Sequence, residues 1–195
     1  MELTQEKINA NYARWMEKLK GYGAEIDSLC GDIGTKLSES SFSINRESGT
    51  AYPGSMIDVT MNVLCPIAIR VYDSLKDHYP FLSCDKSSIV RVCLLQHIAK
   101  AEMIVPETNE WRIKKGEIFT FSNSLSTVLK CGERSCYMCM KYGIGLTEEE
   151  YEAMRIIDKE EIKGNSFSSP LTTIIRMANQ LTSINMYRKW KASAM

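Results

Sequence analysis

Three cysteines, Cys131, Cys136 and Cys139, stand in a C-x4-C-x2-C arrangement, a spacing that plant-type [2Fe–2S] centres use with a fourth thiolate. Chemistry at this stretch would need those sulfurs to converge. Cys136 and Cys139 fall in a helical pattern, however, where residues three apart share a face, and free cysteine is among the most buried residue types. No small-residue loop is present to wrap a cluster, so the cysteines read first as core. A zinc site built from His97, Cys131 and either Cys93 or Cys136 is the alternative, since imidazole and thiolate are the ligands zinc prefers. The second histidine, His78, lies beside Pro80 in a loop pattern, and neither a Gly-x-Ser-x-Gly elbow nor a Walker or dinucleotide glycine pattern occurs.

Composition narrows the function classes. The 195 residues carry 24 Lys+Arg against 24 Asp+Glu. Zero net charge removes the strongest sequence-level argument for nucleic acid or an anionic membrane as partner, since both are usually met by clustered Lys and Arg. Arg188, Lys189 and Lys191 sit where cations complement a helix C-terminus, and Glu148–Glu150 where anions complement an N-terminus. The polar start, Met1 to Glu6, does not resemble a signal peptide, and no span-length apolar run is evident. An odd count of seven cysteines without an export signal predicts reduced thiols in a cytoplasm.

The elements that must position these groups are read from periodicity. Ile8, Tyr12, Trp15, Met16 and Leu19 mark an amphipathic helix within residues 4–29, interrupted at Gly21 and Gly23, and a second helix follows over 24–37. Residues 38–54 read as a loop. Met56, Val59, Val63, Ile67, Val71 and Leu75 mark a helix kinked at Pro66. Residues 87–101 are apolar nearly all round and predict one buried central helix. Trp111, Ile113, Ile118, Phe119 and Phe121 around Lys115-Gly116 predict a β-hairpin over 110–122, packed on the helical body. Helices resume over 132–142, over 147–160 with a Thr147/Glu150 capping box, and over 170–190, where Leu171, Ile174, Ile175, Ala178, Leu181 and Ile184 form the inward face. The whole predicts one mainly α domain of N-terminal helices and loop (1–54), core helices (55–101), hairpin (110–122) and C-terminal helices (131–192).

One octet gives this arrangement a family likeness. Leu94-Leu95-Gln96-His97-Ile98-Ala99-Lys100-Ala101 resembles the LLHDIGKA segment of HD-domain metal-dependent phosphohydrolases, named for their His-Asp metal ligands. Four further blocks follow in the family's order. Ser55-Met56-Ile57-Asp58-Val59-Thr60 resembles GLLDHS, Cys131-Gly132-Glu133-Arg134-Ser135 resembles HGExS, Ala153–Ile157 resembles AIRWH, and Ser169-Pro170-Leu171 through Asn179 resembles HPL…HIAD. The likeness covers roughly residues 24–185 and extends toward small bacterial and phage members. It implies an HD/phosphodiesterase-like helical bundle with the hairpin as an insertion.

Every position at which the resemblance implies a metal ligand carries something else. Val59 replaces the first histidine, Gln96 and His97 replace the His-Asp pair, and Asn179 replaces the final aspartate. Cys131 and Ile157 stand at further histidine positions; Lys100 and Arg134 match positions near substrate, so the resemblance implies Lys100, Glu133 and Arg134 as candidate anion-binding groups, with solvated surface charge as the alternative. The family's divalent metal polarises a phosphoryl oxygen and supplies hydroxide at neutral pH; without the ligand set that chemistry is lost. The resemblance therefore implies a non-catalytic protein, without a cofactor, that binds a nucleotide or phosphate ligand or a protein partner. A phosphohydrolase with a remodelled metal site and an oligomerisation module are the alternatives.

Overall fold

A computed structural model describes residues 3–157 and 168–193. The chain runs α1 (Gln5–Gly21), α2 (Asp27–Glu39), α3 (Ser55–Val59), α4 (Cys65–Leu75), α5 (Lys86–Leu95), α6 (Lys100–Met103), β1 (Ile104–Pro106), α7 (Glu110–Lys114), β2 (Phe119–Phe121), α8 (Cys131–Lys141), α9 (Glu148–Ile156) and α10 (Pro170–Ser193). The mainly helical class is as the sequence predicts, with one small antiparallel β1–β2 pair among the described residues.

α3 and α4 form one continuous helix from Ser55 to Leu75, joined by a π turn over Thr60–Leu64. Pro66 explains the turn. Proline has no N–H and its ring crowds the carbonyl four residues back, and widening the helix so that Cys65 N–H reaches the Thr60 carbonyl absorbs that conflict. By length and composition alone this helix is long and apolar enough to cross a membrane, contrary to the sequence expectation, yet half of its apolar window is buried in the fold. It is a core helix. α5 lies against α4, and α10 packs across α4, α5 and α9. The fully buried Trp15, Leu19, Leu29, Met56, Leu64, Leu94 and Leu95 lie in the shared core.

Two polar contacts lock the helices together. Trp15 Nε1 donates to the Leu94 carbonyl at 3.2 Å, serving one of the carbonyls left unpaired near the end of α5. Arg91 of α5 pairs with the buried Glu150 of α9 at 2.9 Å and also donates to the carbonyls of Tyr22 and Gly145. Glu150 and Thr147 form the expected capping box at the start of α9. Of the helix predicted over 147–160, residues 158–160 lie outside the described residues.

Three sequence expectations are corrected. The hairpin over 110–122 is instead a strand pair, Ile104–Pro106 with Phe119–Phe121, spanning the short helix α7. Asn109 Oδ1 accepts from the N–H groups of Trp111 and Arg112 and so nucleates a helical turn where alternation suggested a strand. Trp111 is 63% exposed and Phe121 55%, so only Phe119 of the three aromatics packs inward. The central helix ends at Leu95; residues 96–99 form tight turns in which Ile98 N–H reaches Leu95 and Lys100 N–H reaches His97, three residues back. On α10 the buried stripe runs Leu171, Ile174, Ile175, Ala178, Thr182 and Met186, leaving Leu181 and Ile184 exposed. Spacing of four keeps these residues on the covered face as the helix passes its neighbours.

Candidate functional site

The break in α5 decides how the candidate residues meet. Because the helix gives way to a tight turn at Gln96, Gln96 and His97 enter the interior from a turn held by the start of α8. Ser135 Oγ accepts from Ala99 N–H at 3.2 Å, and Cys131 Sγ lies 3.9 Å from both the Gln96 carbonyl and His97 Nδ1. From α10, Asn179 Nδ2 donates to Gln96 Oε1 at 3.1 Å. Residues 83 positions apart thus form one cluster of two amides, an imidazole and a thiol.

That cluster is electrically quiet. Burial, together with the Lys100 cation, holds the His97 imidazole well below its ordinary pKa, only partly offset by the Asn179 amide, so the ring is neutral. Phe42 covers it edge-on, ring centroids 4.7 Å apart. Among the described residues neither Gln96 Nε2 nor His97 Nε2 has a hydrogen-bond partner. Val59, fully buried on α3, offers only an isopropyl group.

The donor set does not fit the divalent metal that the resemblance implies. Gln96 and Asn179 spend amide groups on each other, and His97 brings the remaining nitrogen donor of the four positions. The remodelled zinc set fares no better as a unit. Cys136 Sγ donates to the Tyr151 carbonyl at 3.8 Å, in the α8–α9 interface, while Cys131 faces His97. Cys93 meets Cys65: burial pushes the Cys93 thiol up, and the bond from Cys93 draws Cys65 down to about 7 against its own burial, with Lys18 assisting. Among the described residues no group of three His, Cys, Asp or Glu side chains is placed to hold a metal ion.

The three candidate anion-binding residues are separated by their work in the fold. Lys100 Nζ donates to the Phe42 carbonyl at 2.6 Å and stands 3.6 Å from the centre of the Phe42 ring. It thereby holds the 40–54 loop over His97. Glu133 caps α8 by accepting from Lys130 N–H. Arg134 is 6% exposed; its Nη2 donates to both the carbonyl and the hydroxyl of Thr127 at 2.9 Å, and Nη1 lies 4.0 Å from Glu102. Arg134 also lines a cleft of about 510 Å³ bounded by the end of α2, α6, β1, β2 and residues 122–126.

The sequence reading missed two features here. One is this cleft, whose walls come from segments far apart in the chain. The other is Asp58, which accepts from Asn11, Tyr52 and Asn62 at 3.1, 2.7 and 2.8 Å and pins α1 and the loop to the long helix. A carboxylate beside apolar Ile57 and Val59 was the available signal. Compared with family models, curated proteins and solved structures, the chain finds no match in any of the three.

Proposed function

We propose that this chain is an HD-type helical domain whose metal site has been given over to a neutral polar cluster, and that it acts by binding rather than by hydrolysis. The observation that supports this most is the Gln96–Asn179 hydrogen bond. Two positions that the resemblance assigns to ligands of one metal are in contact across 83 residues, yet both carry uncharged amides. A phosphohydrolase needs a metal to generate hydroxide, and these side chains supply no negative charge to hold one, while the Gln96 oxygen is spent on Asn179 and Val59 has no lone pair. The cleft beside Arg134 has the size of a small-ligand site, for which about 300–1,000 Å³ is usual. A reducing, cytoplasmic setting fits the free thiols of all seven cysteines.

The test is to restore the ligands. The variant combining Val59→His, Gln96→His, His97→Asp and Asn179→Asp is expected to bind near-stoichiometric Mn2+ or Zn2+ by calorimetry while keeping its helical circular dichroism. A folded variant that gains no metal affinity would show that these positions do not form one site.

A second reading, a protein-interaction module, draws on one observation: Trp111, Ile113, Ile118, Phe121 and Val128 expose apolar surface along the 104–130 excursion. Concentration-dependent mass by light scattering that disappears in Trp111→Ser/Phe121→Ser would favour self-association through it; an invariant monomer would remove that form of the reading.

A further inference from the structure

We propose that the groove between α4 and α10 is a docking site for an acidic amphipathic helix of a partner protein. The proposal goes beyond the non-catalytic reading and does not depend on it, because none of Val59, Gln96, His97 or Asn179 lines this groove, nor does any residue of the 104–130 excursion.

Three observations carry the assignment. The first is a second apolar stripe on α10. A surface helix buries one face and turns a polar one outward. α10 already buries Leu171, Ile174, Ala178 and Thr182, yet Met177, Leu181 and Ile184 recur at spacings of four and three on another side, 38%, 46% and 53% exposed. Single exposed apolar side chains need no explanation, whereas a continuous stripe marks an interaction surface.

The second is shape. α4 sets Ile67, Val71 and Leu75, each four residues from the next, beside Met177 and Leu181, and the two rows bound a shallow groove of about 470 Å³. Two rows of apolar side chains at helical spacing receive a third row at i, i+3 or i+4, and i+7, which is how an amphipathic helix lies in a groove. A helix that lies in a membrane interface needs its apolar face to project into the acyl boundary. Here the apolar surface is recessed between two helices.

The third is charge. Among the described residues Arg70 is the one charged group lining the groove, and the exposed Arg188, seven residues on from Leu181, continues the stripe two turns further along α10. α10 contains no Asp or Glu. Neither Arg70 nor Arg188 makes an ion pair among the described residues, while Asp73, on the next turn of α4, is held by Lys76 and Lys86. Unmatched cations beside apolar surface select carboxylates on the occupant. The same charges disfavour a second copy of this chain. A two-fold pairing of this face would set α10 against α10, with cations on both and carboxylates on neither.

The experiment is fluorescence anisotropy of two labelled synthetic peptides titrated with the whole chain, each peptide about 18 residues long so that it can form a helix. Both carry leucines at i, i+3, i+4 and i+7; one bears glutamates on its remaining face and the other lysines. The acidic peptide is expected to bind saturably, more weakly as salt rises, and at least about tenfold more tightly than the basic one. Leu181→Asp should weaken it at least about tenfold. Arg70→Glu combined with Arg188→Glu should reverse the preference in favour of the basic peptide; both positions are exposed, so this variant keeps the test open if Leu181→Asp folds poorly. Trp111→Ser should leave binding unchanged.

Binding of neither peptide would overturn the proposal, as would binding of the acidic peptide that is indifferent to Leu181→Asp and to the charge reversal. Sedimentation with phosphatidylserine/phosphatidylcholine vesicles that is lost in Leu181→Asp, with neither peptide bound, would overturn it by giving the face to a membrane. A two-chain mass by light scattering that falls to one chain in Leu181→Asp would overturn it by giving the face to a second copy. Each of these outcomes leaves the non-catalytic reading standing, since that reading rests on the metal positions alone.

Discussion

Cys131 and Arg134 are three residues apart at the start of α8, yet they belong to opposite kinds of surroundings. Cys131 faces the Gln96–His97–Asn179 cluster, whose side chains are uncharged, Gln96 and His97 buried and Asn179 half-buried, with Gln96 and Asn179 hydrogen-bonded to each other. Arg134 faces an open cleft with charge of both signs and an unmade hydrogen bond. One helix start therefore borders both a neutral polar cluster and an open cleft whose wall carries charge of both signs. What separates the two regions is charge: each holds buried polar atoms without a partner among the described residues, Gln96 Nε2 and His97 Nε2 in the cluster and Arg134 Nε beside the cleft, but only the second carries ionic groups.

The sharpest way to break the comparison is to remove the support that both regions share. Arg91→Met leaves Glu150 buried without its cation where α5 meets α9, and breaking a buried pair from one side costs about 3–5 kcal/mol. Chemical denaturation should show a loss of that order, with both regions failing together. Gly132→Ala is next. An added Cβ would fall 2.1 Å from the Met154 carbonyl oxygen, forcing α8 from α9 at a cost of about 1–3 kcal/mol for overpacking. Since Gly132 lies between Cys131 and Arg134, the same variant should also disturb the His97 ring environment by NMR.

A double-mutant cycle sharpens the closed side. Asn179→Leu alone strands Gln96 Oε1 in the interior and should cost about 1–3 kcal/mol, whereas Gln96→Leu with Asn179→Leu should cost less than the sum of the singles, because both partners leave. Additive losses would mean the two amides do not interact.

His97 gives a pH dependence of smaller size. Its folded pKa is depressed, so below the ordinary value near 6.5 the unfolded chain takes up a proton that the native ring refuses. The associated stability is present above about pH 6.5 and falls by at most about 1.4 kcal/mol per pH unit below it. His97→Phe should flatten that slope between pH 6.5 and 5. An unchanged slope would place the titration elsewhere.

Much of the helical scaffold was legible because its signals are local. The i, i+3, i+4 pattern of Ile8, Trp15 and Leu19 and the Thr147/Glu150 cap each fit within one element, and the structure places them accordingly. The β1–β2 pair was not legible. Three-residue strands carry too little alternation, and Ile104 finds its partner, Phe121, across an intervening helix. The end of α5 at Leu95 was hidden for a related reason: Gln96 through Ala99 are as buried as the helix before them, so composition does not mark the turn.

At the candidate site, the resemblance named Gln96 and Asn179 and the fold brings them into contact. The separate duties of Lys100, Glu133 and Arg134 depend on the Phe42 carbonyl, the Lys130 amide and Thr127. Two of those three partners are backbone groups, which no pattern of side chains announces.

The most direct test of the central claim is elemental analysis of the purified chain, prepared without chelator, for zinc, iron, manganese, nickel and cobalt. The account predicts every metal at background, because Val59, Gln96, His97 and Asn179 do not form a ligand set. Near-stoichiometric metal that is lost in Cys131→Ser or His97→Phe would contradict it, and would return metal-dependent hydrolysis to this fold.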